Sequence, residues 1–297
     1  MSTFDRKPGS IRNRFKGNAL LGIALLTSLA GPACAQGALE RIRERGAITM
    51  GYIDGAAPFS SAGDDQQPRG YSTDLCREIA TGIRTQLKLA ALETRWVRLT
   101  IQDRLEAVRS GRVDIECSTT TWTLGRQESV DFSLITFVDG GSILTKIGPS
   151  LARLADFDGK RIAVISGTTT EKVLQDSLAQ RSIKTSLVAV KTRAEGLKLL
   201  NEAKVEGFAS DRTTLIGLVT STPGSGGFKL LDEDFSVEPY AFALPRGDHD
   251  FRLAVNRVLA RLYRSGGITS IYSRWLGALG PPSVLLSATY FIQALSE

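Results

Sequence analysis

Asp114-Ile-Glu-Cys-Ser-Thr-Thr-Thr-Trp-Thr-Leu-Gly-Arg-Gln-Glu-Ser-Val-Asp-Phe132 opens as a short apolar strand, Val113 to Ile115, and runs out into hydroxyls, an aromatic ring and an arginine. A strand leaving a core places the residues after it rigidly at a sheet edge. Ligands of open α/β sheets sit outside the carboxyl ends of strands. Thr119, Thr120, Thr121 and Thr123 offer donors and acceptors without charge. Arg126 offers a planar fork of donors that suits a carboxylate. Read locally, Arg126 either receives a ligand carboxylate or pairs with Asp131 on a polar surface loop.

Upstream, the same alternation recurs. Leu39 to Arg45 reads as a charged helix stopped by Gly46, and Ile48 to Ile53 as a first strand. A polar excursion from Ser61 to Arg69 has the look of a hairpin tip. The helix opening at Gly70-Tyr71-Ser72-Thr73-Asp74 carries Leu75, Ile79, Ile83 and Leu87 on one face. Leu92 to Arg98 is a second strand. Thr100 to Arg109 is a helix, with Thr100 and Asp103 suited to its start and Gly111 to its stop. Beyond the opening stretch, Asp131 to Phe137 and Ser142 to Lys146 are extended and lead out of this first unit.

A second unit repeats the plan. Lys160 to Ile165 is a strand that turns through Ser166-Gly167-Thr168-Thr169-Thr170-Glu171 into a helix, Lys172 to Gln180. Thr168 with Glu171 forms a capping-box pattern. The free amides of that helix start are either an anion site or an ordinary capped terminus. No phosphate-loop lysine accompanies them, so a carboxylate fits better than a nucleotide. Ser186 to Val190 is a strand, Thr192 with Glu195 starts a helix ending near Ala203, and Val205 to Ala209 is a short strand. Asp211 then stands where the threonine run stands in the first unit. It either binds an ammonium group or caps the helix beginning at Arg212. Pro223 to Gly227 is a loop, and Val237 to Leu244 is extended and crosses back. Helices follow at Asp248 to Arg264, Ile268 to Leu276 and Ser287 to Leu295.

The N-terminus has a basic start (Arg12, Arg14, Lys16), a twelve-residue apolar run from Ala19 to Ala30, and Ala33-Cys34-Ala35. That run is too short to span a bilayer. Its layout is that of a secretory signal peptide cut after Ala35, with lipidation at Cys34 as the alternative. Five of the 37 basic and one of the 31 acidic side chains lie in residues 1–35, leaving 32 against 30, or +2. No clustered basic footprint for nucleic acid remains. Cys76 and Cys117 then form an even pair for an oxidising compartment. They are bonded if the helix packs on the strand, or else are two buried thiols. His249 is the single histidine, so neither a His/Cys metal site nor a histidine-based triad is expected.

Two α/β units joined by two extended crossings describe a two-lobed clamp: residues 36–140 with 241–297, against 141–240. An anion site facing a carboxylate is what an α-amino acid zwitterion requires.

Together, Gly70-Tyr71-Ser72-Thr73-Asp74-Leu75, Arg104 to Thr121, Arg126-Gln127 with Val130-Asp131-Phe132-Ser133, Ser166-Gly167-Thr168-Thr169, Asp211, and Trp275 before Pro281-Pro282 carry a resemblance. From Leu39 to the tail, the chain resembles the family 3 periplasmic solute-binding proteins, the amino-acid receptors of ABC importers. It is most similar to their glutamate/aspartate branch, through Glu-Cys-x-x-Thr-Thr, Arg-Gln and Ser-Gly-Thr-Thr. Thr121 to Leu124 with Arg126 is also similar to the broad-specificity amino-acid receptors.

The resemblance implies a type II periplasmic binding protein fold. It implies Arg126 on the ligand α-carboxylate, aided by Thr121 and Thr169. Asp211 and Thr119 would take the α-ammonium, and Arg104 would reach toward an acidic side chain. It implies no cofactor, an inner-membrane permease as partner, and a monomer. The chain departs from the acidic branch at three places: Ile53 stands for an arginine, Ile101 for a serine, and Arg193 for a histidine near the side-chain end. A neutral polar ligand is therefore the alternative to an acidic one. A different class of reading is a cyclohexadienyl dehydratase-like enzyme, whose general acid would be Glu116 or Asp54. A third is a receptor that signals through a separate partner.

Overall fold

Parallel strands need helical crossovers, and the chain supplies them twice. The computed structural model describes residues 36–148, 151–222 and 227–296. The leader expectations for residues 1–35, with the cut after Ala35 and the Cys34 alternative, lie outside the described residues, as does most of the 223–227 loop. Helix α1 (Ala38–Arg45) leads into β1 (Ala47–Ile53), the hairpin β2 (Ser61–Ala62) and β3 (Pro68–Arg69), and α2 (Tyr71–Gln86). Next come β4 (Glu93–Leu99), α3 (Arg104–Arg109), β5 (Ile115–Glu116), α4 (Leu124–Gln127) and β6 (Asp131–Lys146). The second unit holds β7 (Arg161–Ile165), α5 (Thr169–Gln180), β8 (Ser186–Val190), α6 (Arg193–Asn201), β9 (Gly207–Asp211) and α7 (Arg212–Ser221). The chain returns through β10 (Phe228–Leu230) and β11 (Ser236–Leu244) to α8 (His249–Ser265), α9 (Gly267–Leu276) and α10 (Val284–Ile292).

One curled sheet runs β4-β1-β5-β11-β6-β9-β7-β8, with β10 added on β6. Strand β1 is parallel to β4 and β5, and β7 is parallel to β8 and β9. Antiparallel β6 and β11 join the two triplets: β6 pairs with β11 from Asp131 to Gly141 and with β9 from Gly141 to Leu144. The sequence reading breaks β6 in two at Gly140-Gly141. In the structure the glycines are not a turn. A Cβ on Gly141 would collide with the Ser236 and Phe235 side chains, so glycine there permits close strand approach.

The largest apolar cluster packs α2, α8, α9 and α10 on β1 and β11, with Met50, Tyr71, Leu75, Ile79, Phe242 and Phe251 buried. Two further clusters, around Phe157 and Leu174 and around Val190 and Phe208, serve the β7-centred triplet. Ile101 packs against both that last cluster and the Ile53–Val113 cluster. Helix α2 lies on the end of β5, and Cys76 and Cys117 are bonded.

Local signals hold with small shifts. Thr100 and Asp103 exchange hydrogen bonds as a capping box, but regular helix starts only at Arg104. Thr168 and Thr192 accept the Glu171 and Glu195 amides at 3.1 Å. Both glutamates, however, reach one residue further back than a capping box requires, to the Gly167 and Lys191 amides at 2.8 Å. The tail helix starts at Val284, earlier than its apolar pattern suggests, because Ser283 caps it through the Leu286 amide.

Candidate ligand-binding cleft

The opening stretch is held to the sheet on two sides. Ser72 Oγ donates to the Ser118 carbonyl, and the Trp122 and Ala241 amides tie Thr120–Trp122 to β11. Thr123 does not face the cavity: its hydroxyl accepts the Arg126 amide at 3.2 Å and starts α4. That turn brings the Arg126 guanidinium back onto the Thr121 carbonyl at 2.7 Å. Across from it, β7 delivers Thr168–Thr170 at the start of α5, β9 delivers Ser210-Asp211, and α6 opens with Arg193.

Arg104, Thr119, Thr121, Thr169, Arg193 and Asp211 line one enclosed cavity of about 20 Å³, together with Ile101, Thr168, Thr170 and Ser210. Arg126 sits beside this cavity rather than on its wall. Asp131 accepts the Gly247 amide at 3.1 Å and faces Arg252 at 3.6 Å, while Arg126 is turned inward. Asp211 precedes α7, yet its side chain makes no cap bond. It accepts from Thr170 Oγ1 at 3.2 Å instead. The cap comes from β6, where Asp139 accepts both the Thr213 amide and hydroxyl. Arg193 Nη2 donates to Thr119 Oγ1 at 3.4 Å, and its Nε has no partner.

A further carboxylate, missed in the sequence, holds the walls together. Glu238 on β11 accepts from Thr121 Oγ1 at 2.6 Å, Thr169 Oγ1 at 2.8 Å and Ser236 Oγ at 2.7 Å. The available signal was a glutamate within an otherwise apolar crossing strand.

Burial sets the electrostatics. It lowers Arg126 to about 10, helped by the nearby Arg104 charge and opposed by Glu238. Arg193 is pushed down for the same first reason. Burial raises the Glu116 carboxyl, which Arg104 opposes; neither Glu116 oxygen has a hydrogen-bond partner. Glu238 is raised by burial and then by Asp211. Asp139 reaches about 7, again through burial and Asp211.

Neither proposed general acid lines the cavity. Glu116 is fully buried beneath it on β5, and Asp54 pairs with Arg98 at 2.7 Å and accepts the Gly55 and Ala62 amides. Among the described residues no His/Cys/Asp/Glu cluster could hold a metal, and His249 starts α8, its ring 3.3 Å from Arg252.

The model of the bacterial extracellular solute-binding proteins, family 3, matches residues 48–278. The chain belongs to this family. Its members are binding proteins rather than enzymes, and the architecture is the type II periplasmic binding protein fold. The L-glutamate/L-aspartate-binding protein of Pseudomonas aeruginosa is 30% identical over 272 residues, 90% of each chain. The glutamate/aspartate import solute-binding protein of Escherichia coli is 27% identical over 272 residues, again 90% of each. Among solved structures, an ancestral arginine-binding protein bound to arginine superposes with a TM-score of 0.70 at 24% identity, covering 78% of this chain and 99% of that one. No described helix is long and apolar enough to cross a membrane.

Proposed function

We propose that this family 3 protein is the periplasmic receptor of an amino-acid ABC importer and takes a polar L-amino acid, glutamate or aspartate first. One observation carries the reading: Arg104, Arg193, two threonine hydroxyls and the buried Asp211 carboxylate line a single cavity, with the Arg126 guanidinium held beside it on the Thr121 carbonyl. That set complements a zwitterion at both ends. Arg126, Thr121 and Thr169 hold the α-carboxylate, and Asp211 with Thr119 holds the α-ammonium. A cleft lacking either partner would strand a buried charge. Arg104 and Arg193 meet the ligand side chain. The relatives named above support the acidic choice.

The lobes, residues 36–140 with 241–297 and residues 141–240, close by hinge motion on β6 and β11. The receptor acts as a monomer after its leader is cut near Ala35, and delivers its ligand to an inner-membrane permease. A neutral polar ligand is the second reading. Arg104, Arg126 and Arg193 already face four buried carboxylates, Glu116, Asp139, Asp211 and Glu238. A thermal-shift screen against the common L-amino acids decides, since a ligand of the folded state raises stability with the logarithm of its excess over Kd. Shifts confined to glutamate and aspartate support the first reading. Shifts with glutamine and asparagine support the second. No shift with any amino acid sinks both.

A further inference from the structure

The small cavity shares part of its wall with a neighbouring pocket. Ile101 and Arg193 also line a second pocket of about 280 Å³, whose other walls are Ile53, Leu99, Thr100, Gln102, Lys191, Thr192 and the Asp54–Arg98 ion pair. Its walls at Ile53, Leu99 and Ile101 are apolar. Arg193 stands at the junction, almost fully buried at 6% exposure, with an Nε–H that has no acceptor. A buried guanidinium N–H without a partner is costly, and its site is where an acceptor group is wanted. The exposed Lys191 also lines the pocket, and its ammonium has no hydrogen-bond or ion-pair partner among the described residues. Across the mouth, Gln102 Nε2 donates to the Lys191 carbonyl at 3.3 Å, so the β4–α3 loop and the turn before α6 already meet over this pocket.

We propose that this pocket is a subsite for amino acids extended beyond glutamate through a γ-amide: γ-glutamyl amino acids with a free distal carboxylate. The inference rests on the amino-acid reading of the inner cavity. The γ-amide carbonyl accepts from Arg193 Nε. The second residue lies against Ile53, Leu99 and Ile101, and its carboxylate faces Lys191. An amide at the Arg193 position adds no net charge where buried carboxylates already face the three arginines. A terminal glutamate carboxylate would add one.

Isothermal titration of the exported protein with L-glutamate, γ-L-glutamylglycine and γ-L-glutamyl-L-leucine tests this. The γ-glutamyl compounds are expected to bind at least as tightly as glutamate. Lys191→Met is expected to weaken γ-glutamylglycine relative to glutamate by roughly two- to fivefold, the range of an exposed ion pair. Ile53→Arg fills the pocket with a cation and is expected to swing the preference toward glutamate. If Ile53→Arg fails to fold, the surface variant Lys191→Met still decides. Binding of glutamate without either γ-glutamyl compound overturns the subsite and leaves the receptor reading intact. Binding of none overturns both. An affinity ratio unmoved by Lys191→Met and Ile53→Arg overturns the placement of the distal half.

Discussion

On the outside of the molecule Arg95 meets Glu93 at 2.6 Å and Arg161 meets Glu206 at 2.7 Å. In and around the cleft, Arg104, Arg126 and Arg193 stand near Glu116, Asp211 and Glu238, and the hydrogen bonds these groups make go to hydroxyls and a carbonyl rather than to one another. Surface ions pair freely because water screens both and either can leave. Buried ions cost far more, and leaving them without direct partners costs most. Such strain persists where a site needs it, and perturbed charges gather at functional clefts. The difference separates charges that water satisfies from charges that, on the proposed reading, a ligand satisfies.

The largest effect expected from breaking this arrangement is on binding. Arg126→Ala or Asp211→Ala each costs roughly 2–5 kcal/mol of ligand affinity, because the opposite end of the ligand's charge pair is left buried and alone. Titration calorimetry reads it directly, and wild-type affinity in both variants would end the clamp assignment.

Next comes a pH effect at Asp139. Its carboxyl titrates at about 7 in the folded chain against 3.8 for a free aspartate. Folding therefore takes up a proton between those values. The contribution is full below about pH 4 and is lost as pH rises through about 7, on the order of 4 kcal/mol in all. Wild-type melting temperature should fall across this window, and Asp139→Asn should flatten the slope. A slope unchanged in Asp139→Asn would assign it to Glu238 or Glu116, whose carboxyls are raised in the same sense.

A smaller loss is expected for Glu238→Ala. It removes the acceptor shared by Thr121 and Thr169 and costs roughly 1–3 kcal/mol of stability in denaturant unfolding. Arg95→Ala is the control: its melting temperature should fall within the scatter of repeat scans.

Much of this architecture is legible in the amino-acid sequence. Alternating strands and helices, the apolar face Leu75-Ile79-Ile83, and polar residues at strand ends need only periodicity and the strand-end rule. Those signals single out the threonine run, Arg126, Thr169 and Asp211, while Arg104 and Arg193 enter through the family resemblance; all but Arg126 line one cavity. Glu238 and Asp139 escape because each lies inside an extended crossing, and its role comes from contacts 69 to 117 residues away in sequence. The same limit hides which residue caps α7. Asp211 occupies the N-cap position, but the bond is made by Asp139 from another strand. Gly140-Gly141 misleads for the opposite reason. Glycine serves turns and close packing alike, and only the neighbours Phe235 and Ser236 tell which.

The Cys76–Cys117 bond has a consequence for where the receptor can work. Cys117 stands two residues ahead of Thr119, so the crosslink pins the recognition loop's root to α2 across a span of 41 residues. Closing such a span takes roughly 4 kcal/mol of disorder from the unfolded chain. In a reducing interior the thiols stay apart and the loop's root is tethered by packing alone. In the exported state proposed above, oxidation completes the protein: the compartment that holds the solute also supplies the last covalent part.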